Sequence, residues 1–223
     1  MLAVFRSSIS RKALMAVTGL GLLGFVIVHM IGNFQVYEGP DALNAYAKML
    51  REMPALLWVA RLTLLLLFAA HIYLGITLYL ENRAARPVGY VRFQYEQANI
   101  ATRTMLLSGL VILAFVIFHL LHFTLGTVQP EYFEGRDAAG RHDVYAMVIH
   151  GFRNPVITVS YIVAQLFLGL HLYHAVPSMF QSIGWKHPRY NPLIEKLGLI
   201  VALLIVIGNI SMPLSILFGI VGT

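Results

Sequence analysis

Apolar residues fall into five long stretches, near 11–33, 55–80, 103–126, 155–180 and 195–220, and the polar residues gather between them. A bilayer core of roughly 30 Å is crossed by about 20 apolar residues of helix, so each stretch is long enough to span. The pattern predicts an all-α integral membrane bundle of five transmembrane helices, a single domain over 1–223 with nothing soluble and sizeable left over. The first stretch is too long for the apolar region of a cleaved signal and lacks a small-residue cleavage site at its end, so it reads as the first span. Two connecting segments carry patterns of their own. In "YEGPDALNAYAKMLREMP" the residues Leu43, Tyr46, Ala47 and Leu50 stand at i, i+3, i+4 and i+7, which predicts a short interfacial helix ended by Pro54. The longest connection, about 127–153, has the length of a lid or binding element.

Composition agrees: 58% of residues are hydrophobic and 12% charged, with a mean hydropathy of +0.73. The positions of the charges set an orientation, because basic residues stay on the cytoplasmic side of short loops. Arg6, Arg11, Lys12, Arg83, Arg86, Arg92, Arg103, Lys186, Arg189 and Lys196 fall at one face. Lys48, Arg51, Arg61, Arg136, Arg141 and Arg153 fall at the other, mixed with Glu38, Asp41, Glu52, Glu131, Glu134, Asp137 and Asp143. This places the N-terminus inside and the C-terminus outside, in a multi-pass protein of the cell inner membrane. Trp58 and Trp185 fall near opposite boundaries, as interfacial aromatics do. The net charge of +6 is then a topology signal, and nucleic acid is not an expected partner.

The chain has no cysteine, which excludes disulfides, thiolate clusters and covalent haem attachment through C-x-x-C-H. It also has no G-x-G-x-x-G, phosphate-binding lysine loop or H-E-x-x-H. Any redox cofactor must use other ligands, and no catalytic site for a soluble substrate is visible.

Histidines within the spans are the exception to the apolar pattern, and ionisable groups at such depth are costly and usually functional. Counted at 1.5 Å per residue from the basic face, His29 lies about 25 Å up and His119 about 24 Å, while His71 and His171 each lie about 15 Å up. Two levels result, roughly 10 Å apart, each with two histidines from different helices. A six-coordinate haem asks for this: four equatorial nitrogens come from the porphyrin, and one imidazole is needed above and one below. His71 and His171 are therefore the expected ligands of an inner b haem, and His29 and His119 of an outer one. His122 and His174 follow the ligands by three residues and share their helix face. Depth favours His119 and His171 as the metal ligands, leaving the second histidines to bond a propionate, a quinone or the headgroup region. Gly19, Gly21, Gly24, Gly75, Gly109 and Gly169 suit either porphyrin clearance or close helix packing. His142, His150 and His187 read as loop residues.

Four segments carry a resemblance: "SSISRKALMAVTGLGLLGFVIVHMIGN" at 7–33, "HIYLGITLYLENRAARPVGY" at 71–90, "FVIFHLLHFTLG" at 115–126 and "GLHLYHAVPSMFQSIGW" at 169–185. They resemble the haem-binding helices of the dihaem cytochrome b anchor of succinate dehydrogenase and fumarate reductase. The likeness covers nearly the whole chain and implies the same pairing, His29 with His119 and His71 with His171. It also implies a flavoprotein and an iron–sulfur protein docked on the cytoplasmic face, and a quinone, usually menaquinone, as electron partner. Some fumarate reductases of that family have a proton-conducting glutamate two residues before the helix-four ligand; this chain has Gly169 there.

A dihaem anchor of another respiratory enzyme, such as a hydrogenase or formate dehydrogenase, would share the bis-histidine pattern. A haem-free transporter would use buried histidines beside broken helices, and Pro155, Pro177 and Pro213 stand near expected helix ends. The quinone is expected beside the outer haem, framed by His29, Asn33, His119, His122 and the segments 34–54 and 127–153, with Glu38, Asp41, Glu131 and His142 in reach of water.

Overall fold

The computed structural model describes residues 7–85 and 100–222. The chain runs as α1 (Ser8–Asn33), a 3-10 turn (Phe34–Glu38), α2 (Pro40–Arg51), α3 (Pro54–Ala84), α4 (Ile100–Arg103) and α5 (Met105–His119). A π-helical turn (Leu120–Thr124) follows, then α6 (Pro130–Phe133), α7 (Val144–Arg153), α8 (Pro155–Ser182) and α9 (Asn191–Leu217). Five of these are long and apolar enough to cross a membrane: Ser8–Glu38, Pro54–Ala84, Met105–Thr124, Pro155–Ser182 and Asn191–Leu217. Among the described residues there is no strand, only one isolated antiparallel bridge between Arg136 and His142.

Local chemistry sets the helix ends. The Ser7 hydroxyl accepts from Ser10 N at 3.1 Å and starts α1. The Asn154 side chain accepts from Val156 N and Ile157 N at 3.0 and 3.4 Å, with Pro155 in the first turn of α8. These caps satisfy amides that a helix start leaves unpaired. Pro54 does not end α2 but opens α3, where its missing N–H costs nothing; α2 has already stopped at Arg51. Between them, Gly39 takes φ of 100°, open to glycine and strained for other residues, and turns the chain sharply into α2.

Helix α8 is the hub, packing on α9, α5 and α1, while α1 carries α3 on its far side. Small residues allow the closest approaches, as apolar spans in lipid require. A Cβ on Gly198 of α9 would lie 2.7 Å from Pro177 Cδ of α8, and one on Gly169 of α8 would lie 2.5 Å from Val206 Cγ2 of α9. Pro177 and Pro213 lie inside α8 and α9, and both helices continue past them.

The two ends of the bundle differ. At one, the Arg11–Glu81 ion pair ties the start of α1 to the end of α3, and Thr102 reaches His174 of α8; Lys12, Arg83, Lys186 and Lys196 share this basic end. Arg86 and Arg92, expected on the same face, and Arg6 lie outside the described residues. The opposite end is capped by α2, α6 and α7, and Arg153 donates to the carbonyl of Gly222 there. Ser7 and Gly222 thus stand at opposite ends of five alternating spans. In the cap, Leu43 and Asn44 of α2 are buried, with Tyr46 and Leu50 partly covered. The 127–153 connection is built rather than loose: it contains α6 and α7, and His150 belongs to α7, not to a loop.

Candidate functional site

The spans bring the four depth-matched histidines together in two pairs. Toward the basic end, the rings of His71 on α3 and His171 on α8 have centroids 6.3 Å apart. Toward the capped end, His29 on α1 and His119 on α5 have centroids 5.8 Å apart, nearly perpendicular.

In the basic-end pair, each Nδ1 meets a hydroxyl. Thr18 Oγ1 lies 3.1 Å from His71 Nδ1, and its own hydrogen is directed to the carbonyls of Leu14 and Met15, each at 3.0 Å. Ser108 Oγ lies 3.2 Å from His171 Nδ1 and donates to Met105 O at 2.9 Å. A hydroxyl has one hydrogen. With it used on the backbone, the oxygen accepts, so both histidines carry their proton on Nδ1 and keep a lone pair on Nε2. Metal-binding histidines are commonly fixed in this way. Gly19 contributes room, since a Cβ there would sit 3.2 Å from His71 Cε1.

The capped-end pair is built differently. His119 Nδ1 lies 3.3 Å from Tyr161 Oη on α8. The Nε2 of His29 is 3.1 Å from Asn33 Nδ2; an amide nitrogen only donates, so a metal at that nitrogen would displace Asn33.

His122 and His174 each have both nitrogens engaged within the protein. His122 is buried, with Nδ1 3.0 Å from Tyr161 Oη and Nε2 2.9 Å from Gln129 Oε1. His174 has Nδ1 3.0 Å from Thr102 Oγ1 and Nε2 3.0 Å from Ser178 Oγ. Neither belongs to an opposed imidazole pair.

The spacing of the levels differs from the count made along the sequence. Tyr161 stands beside His119 and His171 beside His71, and ten residues of α8 separate them, about 15 Å rather than 10 Å. Thr18, Ser108, Tyr161 and Gln129 were not singled out from the sequence. Three of them are hydroxyl-bearing residues inside apolar runs, a signal weaker than histidine because a serine or threonine can satisfy itself on its own helix.

A bis-histidine haem fits the basic-end pair. A coordinated imidazole nitrogen stands about 2.0–2.1 Å from its metal, which places opposed ring centres about 6 Å apart across one ion. All four imidazoles are only half-buried although they lie within the bundle. Among the described residues no three His, Cys, Asp or Glu converge on one point. Two opposed imidazoles suit a metal that brings its other ligands with it.

In the cap, His142 stands against Phe133 with ring centroids 5.5 Å apart, and both its ring nitrogens are buried without a hydrogen-bond partner among the described residues. It is not the water-exposed group expected from the sequence. Burial, reinforced by the positive charge of Arg51, holds it below the ordinary imidazole range. Glu38, Asp41 and Glu131 are exposed. Gly169 points at Val206, so a carboxylate at that position would meet α9 rather than a histidine pair.

Comparison with protein-family models, curated proteins and solved structures gives no match for this chain.

Proposed function

We propose that the chain is a dihaem cytochrome b, the membrane anchor of a respiratory complex of the succinate dehydrogenase and fumarate reductase type. One observation carries this reading: two opposed imidazole pairs lie at separate levels of one bundle, the lower pair with both Nδ1 atoms tied to backbone-anchored hydroxyls. His71 and His171 would hold one haem iron through Nε2. His29 and His119 would hold the other, with Asn33 giving up its bond to His29. A bis-histidine haem supplies a one-electron carrier whose ligands do not change with oxidation state. Thr18 and Ser108 fix the tautomers of the lower ligands, and the apolar walls of α1, α3, α5 and α8 exclude water.

The basic end is read as cytoplasmic by the distribution of lysine and arginine, and it is the surface for a flavoprotein and iron–sulfur partner. A quinone, menaquinone or another, is placed at the capped end near His29, Asn33 and His119. The unbroken course of α8 and α9 past their prolines weighs against a transporter, whose sites form at interrupted helices. A redox-titrated visible spectrum of the purified protein, with haem counted per chain, tests the reading. Two b-type components are expected; a colourless protein with full occupancy of its fold overturns it.

A further inference from the structure

Tyr161 stands between two histidines that both need its single hydroxyl. Its oxygen is 3.3 Å from His119 Nδ1 and 3.0 Å from His122 Nδ1. One of these nitrogens must donate and the other accept.

The far end of the chain settles which. His122 Nε2 faces Gln129 Oε1 at 2.9 Å, and a carbonyl oxygen only accepts, so His122 carries its proton on Nε2 and has a lone pair on Nδ1. That lone pair takes the Tyr161 hydrogen. The phenol oxygen then accepts from His119, whose proton is placed on Nδ1 and whose Nε2 keeps its lone pair, with the ring of His29 centred 5.8 Å away. With Gln129 Oε1 facing His122 and both histidines neutral, every donor in the sequence His119, Tyr161, His122, Gln129 meets one acceptor.

The backbone is arranged to make this possible. The π-helical turn Leu120–Thr124 begins directly after His119, closed by Leu125 N to Leu120 O at 2.9 Å, and such turns often occur at functional sites. It aims His119 and His122 at the same phenol. Tyr161 is held by Phe115 and Phe152, with ring centroids 5.0 and 4.9 Å away and both edge-on. Its counterparts at the other level, Thr18 and Ser108, end on their own helix backbone; this chain runs on to Gln129 in the connection that leads into the cap.

We infer that Tyr161, oriented by His122 and Gln129, is a positioning residue for the outer haem: it fixes the tautomer of His119 and strengthens that imidazole as a ligand. The inference rests on the dihaem reading. Losing an acceptor on Nδ1–H weakens the donor nitrogen, and ferric iron is more sensitive to that than ferrous.

The test is Tyr161→Phe in the assembled two-haem protein, with each haem titrated by visible and low-spin EPR spectroscopy. The outer haem is expected to rise in potential by about 59 mV, a tenfold change in the ratio of its two iron affinities for a one-electron couple. Its EPR signal shifts with it, and the inner haem stays where it was. Gln129→Leu, at the half-buried end of the chain, shifts the same haem in the same direction by less, and it carries the test should Tyr161→Phe not assemble. Two haems with both potentials and both EPR signals unmoved overturn the inference alone. A wild-type chain without b haem overturns it together with the reading beneath it.

Discussion

Ser108 of α5 and His171 of α8 are joined by a hydrogen bond of 3.2 Å in which the serine oxygen, already donating to Met105, accepts. The bond places the proton of His171 on Nδ1 and leaves the lone pair on Nε2, with the ring of His71 centred 6.3 Å away. Substitution of either imidazole by leucine should remove one haem per chain and leave the other. Ser108→Ala should retain both, because the imidazole stays in place, while moving the potential of the inner haem. Pyridine-haemochrome counts on the purified variants check this, and two haems in His171→Leu would exclude His171 as a ligand.

His122 and His174 predict the opposite outcome. Neither stands opposite a second imidazole, and both have their nitrogens engaged within the protein, so His122→Ala and His174→Ala should each keep two haems per chain. His122→Ala also leaves the Tyr161 hydroxyl in need of a partner, which costs about 1–3 kcal/mol in a buried site. That variant should therefore melt earlier than His174→Ala. Loss of a haem in either variant would mean that ligation runs through the second histidine of its pair.

The number and type of the spans were legible because five apolar runs of membrane length admit few other readings, and the histidine pairs because depth along a helix is nearly a fixed rise per residue. What stayed hidden has a common cause. Whether Thr18 meets His71, or Tyr161 reaches two histidines at once, depends on the rotation of each helix about its axis. A uniformly apolar span reports that rotation poorly. The π-helical turn after His119 changes the local register without any proline or glycine to announce it. His142 was misjudged because polar residues surround it in sequence while Phe133 covers it in space.

Asn44 locks the cap. It is fully buried, donates to Asp137 Oδ2 at 3.2 Å and Asp143 Oδ1 at 3.0 Å, and accepts from Tyr145 N at 2.9 Å. Arg141 closes the same cluster, bonding Asp41 at 2.6 Å and Asp137 at 2.5 Å. Asn44→Ala strands a buried N–H and should destabilise the cap by about 2–3 kcal/mol. The expected readout is faster proteolytic cleavage within 134–143, with the haem spectrum nearly unchanged. Cleavage at the wild-type rate would show that the arginine cluster alone holds the cap.

The cap should also loosen in acid, through His142. Its proton affinity in the folded protein is held below the ordinary imidazole value by burial and by Arg51, so the folded state binds fewer protons than the unfolded one. Stability from this group is complete above the ordinary histidine value, near 6.5, and declines as pH falls below it toward the depressed folded value. The Phe133 backbone carbonyl and Glu134 favour protonation, and Arg136 opposes it, without reversing the effect of burial and Arg51. Protection factors of α7 amides, taken relative to the intrinsic exchange rate at each pH, should therefore fall below about pH 6.5, and His142→Phe should flatten that dependence. An unchanged profile in the variant would place the titration elsewhere.

Quinone at the capped end makes an electrical prediction. The basic end faces the proposed iron–sulfur partner, and the pair formed by His29 and His119 lies about 15 Å farther from it than the pair formed by His71 and His171. A second level so far from the partner has a use only if something at the capped side gives or takes electrons. Protons for quinone chemistry are available there from water at the exposed Glu38 and Glu131. Among the described residues the spans hold carboxylates only toward their ends, at Glu38, Glu81 and Glu195, and Gly169 faces Val206. Charge then crosses the membrane uncompensated, at about 2.3 kcal/mol per charge per 100 mV. In proteoliposomes holding the complete complex, turnover should slow or quicken severalfold with the sign of an imposed potential. Asn33→Leu, at the mouth of the site, should weaken binding of a quinone-analogue inhibitor without changing the inner haem. Turnover indifferent to the potential, or an inhibitor bound beside His71 and His171, would place the quinone at the basic end.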